Sequence, residues 1–179
     1  MLKTLCQIAS IGIVSEPPPH ADENLRIREV LQKDILAVLG RALCVRHIDA
    51  GSCNGCELEI HALNNPLYNL EGLGIRLVAS PRHADMLLVT GPVSRHMAVA
   101  LRRTYEATPD PKLVVAIGDC GCTGGIFGEN YASLGPVSRV IPVDVAVPGC
   151  PPSPTRILQG ILTAIARSPS QTARGAERL

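Results

Sequence analysis

From Val45 onward the apolar residues of this chain fall into two alternating kinds of run. The first kind is short and continuous: Val45 to Ile48, Ile75 to Ala79, Met86 to Thr90 and Leu113 to Ile117. Runs so short, rich in Val, Ile and Leu and bounded by turn residues, read as buried strands rather than helices. A fifth, Val140 to Val147, contains Pro142, which has no N–H for a ladder and predicts a short strand or an edge. The second kind has helical spacing. Glu57 to Leu63 follows the first strand and is broken by Asn64-Asn65-Pro66; Ser94 caps a helix to Ala107 with Met97, Leu101 and Tyr105 on one face. A last helix starts at Pro154 or Thr155 and carries Ile157, Ile161, Leu162 and Ile165. Strand and helix in strict alternation predict an α/β fold, a flavodoxin-like doubly wound parallel sheet of about five strands in the order 2-1-3-4-5.

Ahead of this pattern stands an apolar lead-in stopped by Pro17-Pro18-Pro19, and then an N-terminal amphipathic helix from Asp22 to about Gly40. Its Ile27, Val30, Leu31, Ile35 and Val38 recur at steps of three and four, with Arg26, Glu29 and Lys33 elsewhere. Packing on its own domain is one reading, and docking on a larger neighbour the other. The lead-in, Lys3 followed by Leu5 to Val14, imitates a signal peptide only faintly, because Gln7, Ser10 and Gly12 interrupt it and no A-x-A site follows. No stretch reaches the roughly 18 apolar residues of a transmembrane helix. The tail from Ser168 has little to bury and is expected to be disordered. The expected organisation is therefore an extension over 1–42, one α/β domain over 43–167 and a tail over 168–179.

Composition narrows the function. With 46% hydrophobic residues but only 2% aromatic and no Trp, the core is made of aliphatic side chains. The net charge of +1 lacks the one-sided basic surface that nucleic-acid binding needs, which sets nucleic acid aside as a partner. Seven cysteines, an odd number, cannot all pair within one chain. In a reducing cytosol such thiols are ligands or redox groups more often than staples.

Topology brings four of them together. Cys53 and Cys56 follow the first strand, Cys120 follows the fourth in I-G-D-C-G-C, and Cys150 follows the fifth in V-P-G-C-P-P. Parallel strands share a direction, so all four thiols are expected on the same rim of the sheet, where ligands collect in open α/β folds. Three chemistries compete there. A thiol-disulfide oxidoreductase would use Cys53 and Cys56 alone and leave Cys120 and Cys150 unexplained. A structural zinc protein usually brings two close knuckles on a small domain, whereas these ligands are dispersed. A 4Fe-4S cluster accepts dispersed thiolates, and Gly51, Ser52, Gly55, Gly118, Gly121, Gly124, Gly125 and Gly149 around them leave room for it.

The set C-N-G-C-E-L-E, S-P-R-H-A-D-M-L-L-V-T-G-P-V, G-D-C-G-C-T-G-G-I-F and V-P-G-C-P-P-S-P resembles the small subunit of nickel-iron hydrogenases and the homologous cluster-bearing 20 kDa subunit of respiratory complex I. The likeness covers most of residues 43–166 and is greatest to the energy-converting, membrane-bound branch, the formate hydrogenlyase and Ech type; G-I-V-S-E-P at Gly12 to Pro17 is similar too. The resemblance implies one 4Fe-4S cluster held by Cys53, Cys56, Cys120 and Cys150, with no cysteine after Cys150 to hold another. It implies an electron-transfer subunit, not catalytic by itself, within a multisubunit oxidoreductase. The partners implied are a large catalytic subunit, nickel-iron in the hydrogenases, a ferredoxin-like iron–sulfur subunit and membrane subunits. The place implied is the cytoplasmic face of the cell membrane, reached through those partners. Complex I subunits carry two adjacent cysteines where this chain has the spaced pair, which favours the hydrogenase side; a quinone-reducing module is the alternative.

Other residues carry weaker signals. Glu57 and Glu59 are expected in the first turn after Cys56, where a carboxylate complements the helix N-terminus, or else as a proton relay beside the cluster. Cys122 reads as a packed spare, and Cys6 and Cys44 as small hydrophobes. Arg82 and His83 read as a solvated loop, and His61 as a core or interface histidine.

Overall fold

The computed structural model describes residues 41–167 and, outside them, only Ser10, Glu29 and Lys33. The expected helix over 22–40 and the tail over 168–179 lie outside the described residues. The strands are β1 (Leu43–Asp49), β2 (Ile75–Leu77), β3 (Met86–Thr90), β4 (Leu113–Ile117) and β5 (Val145–Val147). They form one parallel sheet in the order β2-β1-β3-β4-β5, as the alternation predicts. The helices are α1 (Gly55–Ala62), α2 (Arg95–Ala107), α3 (Gly118–Thr123) and α4 (Pro154–Ala166).

Every residue of β3 is buried, which is why its sequence is uniformly apolar up to Thr90. Successive side chains of a strand point to opposite faces, so the sheet feeds two cores. Met86, Leu88, Val115 and Ile117 pack with Ile60, Leu63, Ile157 and Ile161 on the side of α1 and α4. Leu87, Val89, Val114 and Ala116 pack with Leu101, Val137 and Ile141 on the side of α2. Burying one such Leu or Ile contributes about 1.5–3 kcal/mol. The helix signals hold as well: the Ser94 hydroxyl accepts from the Met97 N–H at 3.2 Å, and Pro154 opens α4 after Ser153.

β5 is both short and at the edge, as Pro142 predicted: it holds three residues, because Val137–Arg139 turns as a short 3-10 helix and Pro142 cannot join a ladder. Three differences from expectation bear on the site. α1 begins at Gly55, so Glu57 lies in its first turn but Glu59 in the second. α3, unexpected from the sequence, winds Cys120 and Cys122 into a helix directly after β4. His61 is exposed on the outer face of α1, which removes the core half of its core-or-interface reading.

Candidate functional site

The carboxyl ends of β1, β4 and β5 lie on one rim, and the four thiols stand just beyond them. β1 stops because Asp49 Oδ1 accepts the N–H groups of Gly51 and Ser52, at 2.8 and 2.9 Å, folding the chain into a tight turn. These two N–H groups also hold the Asp49 carboxyl below its ordinary value, outweighing the opposing effect of its partial burial. Cys53 then stands exposed in the loop, Asn54 takes a left-handed conformation (φ 72°), and α1 starts so that Cys56 is half-buried in its first turn. Cys120 is half-buried in α3, and Cys150 is exposed in the loop after β5.

Two of the thiols, Cys56 and Cys120, have a glycine neighbour where bulk would intrude. A Cβ on Gly118 (φ +83°) would sit 2.5 Å from Cys56 Sγ, and one on Gly125 (φ +55°) 2.8 Å from Cys120 Sγ. A Cβ on Gly55 would stand 3.6 Å from Cys53 Sγ. The electrostatics shows the convergence. Burial first, then Glu57 and then Cys120, Cys53 and Cys150, push the Cys56 thiol up to about 12. Burial followed by Cys150, Cys53 and Asp119 raises Cys120. The quartet from three strand ends therefore shares one electrostatic neighbourhood. Among the described residues no group of three His, Cys, Asp or Glu side chains closes on a point that could hold a single ion.

Cys122 turns the other way. Its Sγ lies 3.7 Å from the Ala116 carbonyl oxygen, and burial, then the Asp119 charge, push it up to about 11 against the pull of the Val147 N–H. This contact sets the Cys122 thiol against β4. Cys44 is half-buried with Sγ 3.9 Å from the Ala42 oxygen, and Cys6 lies outside the described residues. Arg82 and His83 stand exposed in the turn before β3.

The two acids after Cys56 separate. Glu57 is 5% exposed, neither carboxylate oxygen has a hydrogen-bond partner among the described residues, and Oε1 lies 3.8 Å from His47 Nε2. His47 itself bonds to Thr90 Oγ1 at 3.1 Å, and burial holds its imidazole below the ordinary value although Glu57 and Asp49 pull upward. Glu59 is only half-buried. His47 escaped the sequence reading; it occupies an apolar strand, and only the packing of α1 on β1 brings it to Glu57. Asp119 was missed too. Its N–H donates to the Gly149 oxygen and its Oδ1 accepts from the Gly149 N–H, both at 2.8 Å, joining the loops of Cys120 and Cys150.

A doubly wound parallel sheet with thiols gathered on its carboxyl rim defines a class, an α/β protein with a sulfur-donor site at its strand ends. Within it the chain belongs to the family of the 20 kDa subunit of NADH ubiquinone oxidoreductase, whose sequence model matches residues 53–164. It is 49% identical over 141 residues to a probable membrane-bound hydrogenase subunit of Pyrococcus furiosus, covering 77% of this chain and 84% of that one. It is 44% identical over 148 residues to formate hydrogenlyase subunit 7 of Escherichia coli, covering 83% of this chain and 57% of the relative. Among solved structures, a chain of the membrane-bound sulfane sulfur reductase, an archaeal respiratory membrane complex, superposes with a TM-score of 0.63. That match is 33% identical and covers 76% of this chain and 74% of the other. Among the described residues no helix is long and apolar enough to cross a membrane.

Proposed function

We propose that Cys53, Cys56, Cys120 and Cys150 hold one 4Fe-4S cluster, and that the chain is the electron-transfer subunit of a membrane-associated, hydrogenase-like oxidoreductase. The observation that carries the reading is that these four thiols follow the ends of β1, β4 and β5 on one rim of the parallel sheet, with Cys56 Sγ and Cys120 Sγ set close against Gly118 and Gly125. The donor set suits the group. All four donors are sulfur, and thiols pushed up by burial and by one another need a cationic body to ionise beside. A Cys53–Cys56 redox pair would leave Cys120 and Cys150 without a role.

When bound, such a cluster supplies one-electron transfer. The chain supplies the rest: α1 and α3 orient Cys56 and Cys120, Asp49 shapes the Cys53 loop, and the two cores keep the rim rigid. Residues 43–167 form the cluster-bearing domain, after an N-terminal extension over 1–42 and before a tail over 168–179. The relatives' names, a membrane-bound hydrogenase subunit and a formate hydrogenlyase subunit, support membrane-associated partners; those proposed are a large catalytic subunit, a ferredoxin-like subunit and membrane subunits, which keep this chain at the inner face of the membrane. The family's naming after NADH ubiquinone oxidoreductase favours a second reading, in which the same cluster delivers electrons to a quinone.

The complex purified without oxygen tests the proposal. This subunit, released from the complex and weighed by native mass spectrometry, is expected to carry about four iron and four sulfide, and a Cys53→Ala complex to lose one reduced-cubane EPR signal. Zinc without sulfide on the released subunit, or a cofactor-free subunit with a titratable Cys53–Cys56 disulfide, would overturn it. Hydrogen evolution against quinone reduction by the same preparation separates the two partner readings.

A further inference from the structure

We infer that Asp119 is a positioning residue: its carboxylate fastens the loop bearing Cys150 to the helix bearing Cys120, and so sets where the fourth sulfur stands. The inference rests on the cluster reading above and extends it to the group that holds the ligand spacing. β4 and β5 run side by side up to Ile117 opposite Val147, and their ladder ends before either thiol. Beyond it Asp119 makes a reciprocal pair with Gly149, its N–H donating to the Gly149 oxygen and its Oδ1 accepting from the Gly149 N–H, each at 2.8 Å. Asp119 directly precedes Cys120, and Gly149 directly precedes Cys150.

The loop has few other means of attachment. In the stretch Pro148-Gly149-Cys150-Pro151-Pro152 the prolines have no N–H, which leaves only Gly149 and Cys150 as main-chain donors. The Gly149 donor is committed to Asp119. No side chain can take over at Gly149, since its φ is +139° and a Cβ there would lie 2.7 Å from Pro152 Cα. The contrast with Asp49 is instructive: that carboxylate closes a turn within its own loop, whereas Asp119 ties together segments separated by 30 positions.

The test compares Asp119→Asn with Asp119→Ala in the complex purified without oxygen, reading iron and sulfide on this subunit released for native mass spectrometry, and the EPR and midpoint potential of the signal that Cys53→Ala abolishes, before and after ferricyanide. Asn keeps an oxygen acceptor for the Gly149 N–H and loses the charge; Ala loses both. Asp119→Asn should keep full iron and the four-iron signal, with a potential moved positive because a nearby negative charge is gone. Asp119→Ala should hold at most half the iron. It should also pass readily to a three-iron cluster: ferricyanide removes one electron from the oxidised [4Fe-4S]2+ cluster, one Fe2+ departs, and [3Fe-4S]+ stays on Cys53, Cys56 and Cys120. Should Asp119→Ala not assemble, Asp119→Ser, too short to reach Gly149, is read by the same criteria. Ala or Ser with wild-type iron and spectra overturns the clasp, and so does Asn behaving like Ala. A wild-type subunit released from the complex without sulfide overturns the cluster reading itself, and the clasp with it.

Discussion

Replacing Gly118 by Ala probes whether Cys56 faces the shared space. The added Cβ meets two obstacles. Gly118 has φ +83°, where a residue with a side chain costs about 1–2 kcal/mol. The Cβ would also stand 2.5 Å from Cys56 Sγ, about 1 Å inside ordinary contact. If the backbone moves, overpacking adds about 1–3 kcal/mol, for a total of about 2–5. If Cys56 instead rotates about χ1, the clash is relieved cheaply, but the sulfur swings out of line with the other three. Both routes leave a folded protein, since domains are stable by about 5–15 kcal/mol, and both damage ligation. The expected result is therefore a lowered urea midpoint together with clear loss of iron and sulfide. The matched control is Leu101→Ala, in the core on the other face of the sheet, where a fully buried side chain is cut at a cost of about 2–5 kcal/mol. It should lose comparable stability and keep its iron. A Gly118→Ala protein with wild-type iron and EPR line shape would refute the geometry, because Cys56 could not then be directed into the space beside Gly118.

Three further outcomes are expected. Cys122→Ala should keep full iron while Cys150→Ser loses or converts the cluster, because Cys122 Sγ faces Ala116 and Val147 rather than the rim; iron analysis of the two variants decides it. Burial holds His47 below its ordinary 6.5, so the unfolded chain binds that proton at higher pH than the folded one. Its contribution is complete above 6.5 and is lost as pH falls from there through the lower folded value; urea midpoints should drop across that window, and His47→Gln should flatten the slope. Asp85 bonds through one oxygen to the Cys44 N–H at 2.9 Å and through the other to Arg41 at 2.6 Å, tying β1 to the start of β3. Asp85→Ala should cost about 1.5–3 kcal/mol in chemical denaturation with iron content unchanged.

Much of this protein is determined locally. β3 and β4 occupy the very residues their apolar runs predict, and Ser94 caps α2 where a hydroxyl precedes a helical pattern. The strand order, and with it the common rim of Cys53, Cys56, Cys120 and Cys150, follows from short buried strands joined by helical crossovers, which allow few topologies. The tertiary structure decided what depends on segments far apart in the chain. α3 has no apolar period to announce it; its Gly, Cys and Thr residues coil because β4 delivers them beside β5, where Gly149 bonds to Asp119. The phase of that helix sends Cys120 toward the rim and Cys122 back toward β4. Glu57 and Glu59 look alike in the sequence, yet only the packing of α1 over β1 encloses the first beside His47 and leaves the second half-exposed. Residue type and spacing specify which thiols can meet; the direction of each side chain is settled by contacts that form only when the layers close.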